Sequence, residues 1–185
     1  ASGEVAQYAL MKNSIGWLTD SNIVALASQV NSSAQGTAQL QAQAWTSEAL
    51  RALAADVLRD HARMQFAIDS LASQKRIPAQ LPAVAASMQA PYDSALATQA
   101  GLPVMEREPK FLDLLIAEHQ RSIVDFGALA GNASDPDLRA LLANRGVLME
   151  QTHASRAKLI KAAMQRADSA RQDSAKNSPR RGGGR

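Results

Sequence analysis

Three histidines and one glutamate set the terms for any chemistry this chain could do. His61, His119 and His153 are its whole complement of imidazole. The apolar periodicity around each puts all three on or beside the inward face of a helix, near its middle. Mid-helix residues lie at similar heights in a bundle whichever way the neighbours run, so imidazoles from three helices can meet in one buried layer. Glu150 and His153 form a Glu-x-x-His pair, and that i, i+3 spacing aims both groups to the same side. Three imidazoles with a carboxylate suit a single zinc or copper ion.

A carboxylate-bridged di-metal centre demands more: two Glu-x-x-His pairs plus a glutamate from each of two further helices. This chain has one pair, and between Ser21 and Ser47 it has no Asp or Glu. Asp60 and Glu118 are sequence neighbours of His61 and His119, and so point about 100° away from them. Against a metal stands a plainer reading, in which the imidazoles are interior residues hydrogen-bonded to Glu, Gln or backbone. Sequence alone gives that reading the greater weight.

Other chemistry has less to stand on. The chain has no cysteine, which excludes disulfides, thiolate metal sites and a cysteine nucleophile. Ser, His and Asp are present without a nucleophile elbow. Gly182-Gly183-Gly184 is not a phosphate loop, since no strand precedes it and no helix follows. The six methionines are scattered as core filling. The expectation is a non-catalytic protein.

The elements that must position these residues are all helical. Of 185 residues, 46% are hydrophobic but only 4% aromatic. Small, unbranched, helix-favouring side chains on that scale fit close-packed helices better than a β-sandwich. Thr19-Asp20-Ser21 opens a first helix through Ile23, Leu26 and Val30, and Thr46-Ser47 opens a second over about 48–75. Five prolines and Gly101 then punctuate the chain from Pro78 to Pro109, which reads as a long crossover with room for one short helix between Pro82 and Gly101. Pro109 suits the first turn of a third helix over about 110–130, stopped by Gly131-Asn132. Ser134-Asp135-Pro136-Asp137 begins a fourth over about 136–165. The predicted fold is an all-α, ferritin-like four-helix bundle with one long Pro-rich crossover between helices two and three. It divides into a docking segment at 1–18, a bundle at 19–165 and a basic, low-complexity tail at 166–185.

Charge is distributed unevenly. From Arg156 to Arg185 nine basic residues face only Asp168 and Asp173, whereas the whole chain carries +3. Such asymmetry points to an interaction tail. Trp17, Arg171, Lys176, Arg180, Arg181 and Arg185 are the candidate partner-binding residues. The favoured partner is a protein in a larger, membrane-associated complex, with a bioenergetic complex as one candidate. Anionic lipid is a further candidate. Nucleic acid is disfavoured, because no aromatic follows Phe126 for stacking. Ala1-Ser2-Gly3-Glu4 has the look of a chain trimmed by signal peptidase, so an extracytoplasmic, membrane-peripheral address is expected.

Three segments stand out together: Leu50–His61 (LRALAADVLRDH), Phe111–Gln120 (FLDLLIAEHQ) and Asp135–Arg139 (DPDLR) followed by His153. They resemble a widespread bacterial ferritin-like family of unknown function, often labelled "predicted outer membrane protein". The resemblance covers about residues 20–165 and implies an exported four-helical protein, with no established activity. One departure is plain: where that family shows an acidic residue in its first helix, this chain has Gln39 after Gly36. Two functions follow as expectations. The leading one is an extracytoplasmic accessory subunit that stabilises a larger complex; the other is a periplasmic metal-binding or stress protein using the three-histidine layer.

Overall fold

The computed structural model describes residues 18–42 and 47–177. Among them every regular element is helical: α1 (Asp20–Ala42), α2 (Glu48–Lys75), α3 (Ala85–Ala100), α4 (Val104–Asn132), α5 (Pro136–Leu141), a π turn (Leu142–Gly146) and α6 (Val147–Asn177). The last three follow without a break and form one long rod. No helix among the described residues is long and apolar enough to cross a membrane.

Local chemistry starts and stops these helices. Thr19 and Asn22 cap α1 reciprocally: Asn22 N–H donates to Thr19 Oγ1 at 3.3 Å, and Thr19 N–H donates to Asn22 Oδ1 at 3.2 Å. Ser47 Oγ accepts the N–H of Leu50 at the start of α2, and Arg76, left-handed at φ 56°, ends it. Asp135, rather than Ser134, caps α5 by accepting from Asp137 and Leu138 N–H, with Pro136 in the first turn.

Contacts at the two ends fix the helix directions. Asp20, at the start of α1, accepts from the backbone N–H groups of Ser134 and Asp135 beyond the end of α4. Lys75, at the end of α2, pairs with Asp135 and Asp137. At the opposite end Glu108, early in α4, accepts from Ser47 N–H. So α1 and the rod run one way, α2 and α4 the other. α3 carries the chain back between α2 and α4, with Gln29 of α1 donating to Ala85 O and Leu96 lying beside Gly36.

The room left for a helix between Pro82 and Gly101 is filled by α3, 16 residues with Pro91 inside it; two other sequence expectations need correction. An internal proline costs one backbone bond and some strain, and burial of Met88 and Tyr92 on its inner face offsets that cost. α4 begins at Val104, with Pro103 at its boundary, so Pro109 lies inside the helix rather than in its first turn. The last helix does not stop near residue 165: α6 continues to Asn177. Its Ala, Gln, Arg and Lys hold a helix by propensity where no apolar stripe is left. Of the segment 1–18 only Leu18 is described, and it packs on the core.

That core comprises two apolar clusters. One gathers Ile23, Leu26, Val30, Ile68, Phe126 and Leu138. The other gathers Leu50, Leu53, Val57, Phe111, Leu112 and Leu115, with Ala38 and Ala157. Burying each such Leu, Ile or Phe contributes about 1.5–3 kcal/mol. The chemistry falls between them. Along α2, His61 separates Val57 from Met64; along α4, His119 separates Leu115 from Phe126; along α6, Glu150 and His153 precede Ala157.

Candidate metal centre

The bundle brings all four predicted donors together. His61 comes from α2, His119 from α4, and Glu150 and His153 from α6; each is 0% or 1% exposed. The ring centroids form a triangle of 5.7, 5.4 and 5.2 Å. One donor nitrogen from each ring lies within 4.8 Å of the other two. Glu150 sits against the same group, Oε1 at 3.8 Å from His61 Nε2 and Oε2 at 3.7 Å from His119 Nε2. Both separations exceed hydrogen-bond reach.

Each ring is held from outside. His61 Nδ1–H donates to Asn31 Oδ1 at 2.9 Å. The direction is fixed because the Asn31 amide nitrogen is already spent, donating to His61 O and Gln65 Oε1. His119 Nδ1–H donates to Leu115 O at 2.8 Å. His153 Nε2–H donates to Asp60 Oδ2 at 3.2 Å. With one nitrogen of each ring protonated outward, the other presents its lone pair inward. Those inward atoms, His61 Nε2, His119 Nε2 and His153 Nδ1, have no hydrogen-bond partner among the described residues, and neither do the two Glu150 oxygens. Outer acceptors that set tautomer and orientation while the inner nitrogens stay bare are how proteins hold imidazole ligands for metals.

Electrostatics agree with this arrangement. Burial, helped by the neighbouring rings His119 and His153, holds His61 well below the ordinary imidazole value. Burial, then His153, brings His119 down to about 3. His153 is lowered by burial as well, partly countered by Asp60. Burial and the nearby Glu118 and Asp125 push Glu150 well above the usual carboxylate range. The site thus contains neutral imidazoles and a carboxyl that cannot carry its charge alone. A cation between them would supply what every one of these groups lacks.

Sequence reasoning missed several supporting residues. Asp60 does not serve its neighbour His61; it reaches across from α2 to His153, while its other oxygen takes the Arg59 Nε–H at 3.0 Å. Burial raises its pKa, but the bonds from Arg59 and His153 outweigh this and hold it below the usual value. Glu118 is buried on the side of α4 facing α1, where Thr37 Oγ1–H donates to it at 3.0 Å, and burial lifts it to about 8. Tyr92 of α3 donates to Asp125 at 2.8 Å and lies 3.2 Å from Ser122 Oγ. The signal was present: Glu118, Ser122 and Asp125 repeat at helical spacing, as a polar stripe beside an apolar one.

Of the expected partner-binding residues the structure describes two. Arg171 and Lys176 are exposed on the last turns of α6, Arg171 lying 3.6 Å from Asp168. Trp17, Arg180, Arg181 and Arg185 lie outside the described residues.

Comparison with known proteins places the fold and the family. The chain is similar in structure to a DUF305 fragment from Deinococcus radiodurans, with a TM-score of 0.65 at 18% identity over 77% of this chain and 95% of that one. At that identity the likeness concerns the fold alone. No curated protein matches the chain. Residues 5–172 match the model of a domain of unknown function, DUF4142, and the chain belongs to that family.

Proposed function

We propose that this protein holds a single zinc or copper ion between α2, α4 and α6. Its ligands are His61 Nε2, His119 Nε2, His153 Nδ1 and the Glu150 carboxylate. The observation that carries the reading is the set of buried, inward-facing donor atoms without hydrogen bonds, on rings whose outer nitrogens are each fixed by an acceptor. Interior histidines retained only for packing would satisfy both nitrogens. The preference drawn from sequence therefore reverses in favour of the metal.

An ion 2.0–2.1 Å from each donor in tetrahedral geometry needs donors about 3.3 Å apart. The carboxylate contacts at 3.7 and 3.8 Å stand close to that spacing. The ring nitrogens, within 4.8 Å of one another, would draw together on binding. Four protein donors fill a tetrahedral shell, which favours holding the ion over turning over a substrate. The donor set contains no thiolate, and imidazole with carboxylate suits zinc and copper(II). On this reading the bundle is of ferritin-like kind reduced to one ion, working outside the cytoplasm.

Elemental analysis of protein purified without chelators tests the proposal. The expected result is about one zinc or copper per chain, falling to background in His119→Ala that keeps its helical circular dichroism. Wild-type protein that takes up no metal, or a variant that keeps it, would overturn the reading. Docking on a larger assembly is a separate proposal, supported by exposed Phe66 and Leu159 and by the basic end of α6. Co-purification from the native membrane fraction tests that one.

A further inference from the structure

The π turn shapes a second site on the outer side of the bundle. Such turns insert one extra residue and collect at functional positions. Here Gly146 is drawn in so far that a Cβ on it would stand 3.1 Å from the Phe126 ring and 3.3 Å from Met64 Cε. Asn144 and Arg145, in the same turn, stay exposed. Between this turn, α2 and the start of α6 lies a cleft of about 350 Å³ walled by Arg63, Arg145, Asn144, Met64, Met149 and His153. That volume falls within the range of small-ligand pockets. A neighbouring hollow shares Arg63 and Arg145 and is lined by Ala62, Phe66 and Ala67. A cleft of mixed lining and a more apolar hollow thus meet at two guanidinium groups.

The charge balance names the ligand class. Asp60 is the acid in the cleft wall, and it is engaged by Arg59 at 3.0 Å and by His153 at 3.2 Å. Arg63 stands 3.7 Å from Asp60, too far for a hydrogen bond. Arg145 has no ion pair or hydrogen bond among the described residues. Two forked cations with donors to spare match a carboxylate or phosphate head group. Phe66, 74% exposed beside them, offers an apolar shelf.

We propose that this cleft binds a small amphiphilic anion, its carboxylate or phosphate head between Arg63 and Arg145 and its apolar body against Phe66, Ala62 and Ala67. The site shares Asp60 and His153 with the metal centre as wall residues, but its binding groups are its own.

Calorimetric titration with octanoate, octyl phosphate and inorganic phosphate tests it, on metal-loaded and on chelated full-length protein. Both octyl compounds should saturate one site, and inorganic phosphate should bind at least about tenfold more weakly. The stronger octyl compound identifies the head group. The Arg63→Ala/Arg145→Ala double variant should lose binding without losing metal, and Phe66→Ser should weaken the octyl compounds but not phosphate. Octyl binding unchanged in the double variant would overturn the inference. So would binding to phosphatidylglycerol vesicles with none to the soluble octyl compounds, which makes this a membrane-facing surface instead. Because the titrations run with and without metal, failure of the metal reading and failure of this one are told apart.

Discussion

Two of the buried polar groups within this bundle are built in opposite ways. The Tyr92–Ser122–Asp125 group, between α3 and α4, closes on itself: hydroxyl meets carboxylate at 2.8 Å and the second hydroxyl at 3.2 Å. The His61–His119–His153–Glu150 group leaves its inward atoms facing one another without a bond. Both groups bear the cost of desolvation. The first recovers it inside the chain and serves to seat α3 on α4. On the proposed reading the second recovers it when a metal ion arrives from outside, and that difference would separate a structural polar cluster from a binding site.

Four measurements would sharpen or break that contrast. Thermal or urea unfolding should show the largest effect. Zinc or copper at about 1,000 times its Kd should stabilise the wild type by about 4 kcal/mol, and Glu150→Gln by far less. Equal stabilisation of both would erase the distinction between the groups. Next, Tyr92→Phe should cost about 2 kcal/mol, since it strips a hydrogen bond from a buried carboxylate, yet leave metal content unchanged. A loss of metal in Tyr92→Phe would mean the two groups act as one.

Asp60→Asn probes the outer support of His153. Removing such a carboxylate partner typically weakens metal binding 10–100-fold, so competition with a chelator of known affinity should show that loss while the fold persists. The smallest effect is expected from pH on the chelated protein. Glu118, lifted to about 8, keeps in the folded state a proton that the unfolded chain releases near its ordinary 4.5. Its contribution is complete below 4.5 and is lost as pH rises through 8. His119, lowered to about 3 from 6.5, acts in the other direction: its contribution is complete above 6.5 and is lost as pH falls through 3. Urea midpoints from pH 6.5 to 8.5 should therefore decline in the wild type and decline less in Glu118→Gln.

Much of this was legible in the sequence, and the remainder was hidden for identifiable reasons. The helical periods of α1, α2 and α4 and the caps at Ser47 and Asp135 are local signals, and they placed His61, His119, Glu150 and His153 in one layer. Asn31, Asp60 and Tyr92 were invisible because their partners lie 30, 93 and 33 residues away and depend on how the helices pack. The α3 helix was legible only as room for a short helix between Pro82 and Gly101, because the local cost of Pro91 is outweighed by burial that only the tertiary fold supplies. The π turn has no sequence signature of its own; it follows from seating Gly146 against Phe126. The weighing of the imidazoles turned on the same gap. Sequence could bring three rings together but could not show that their inner nitrogens lack partners.

The most direct test of the central claim is an anomalous-scattering map from a crystal of this chain loaded with zinc or copper. One strong peak enclosed by His61 Nε2, His119 Nε2, His153 Nδ1 and the Glu150 carboxylate is the predicted result. A map whose peaks lie only on surface residues, with the three rings still bare toward one another, would contradict it.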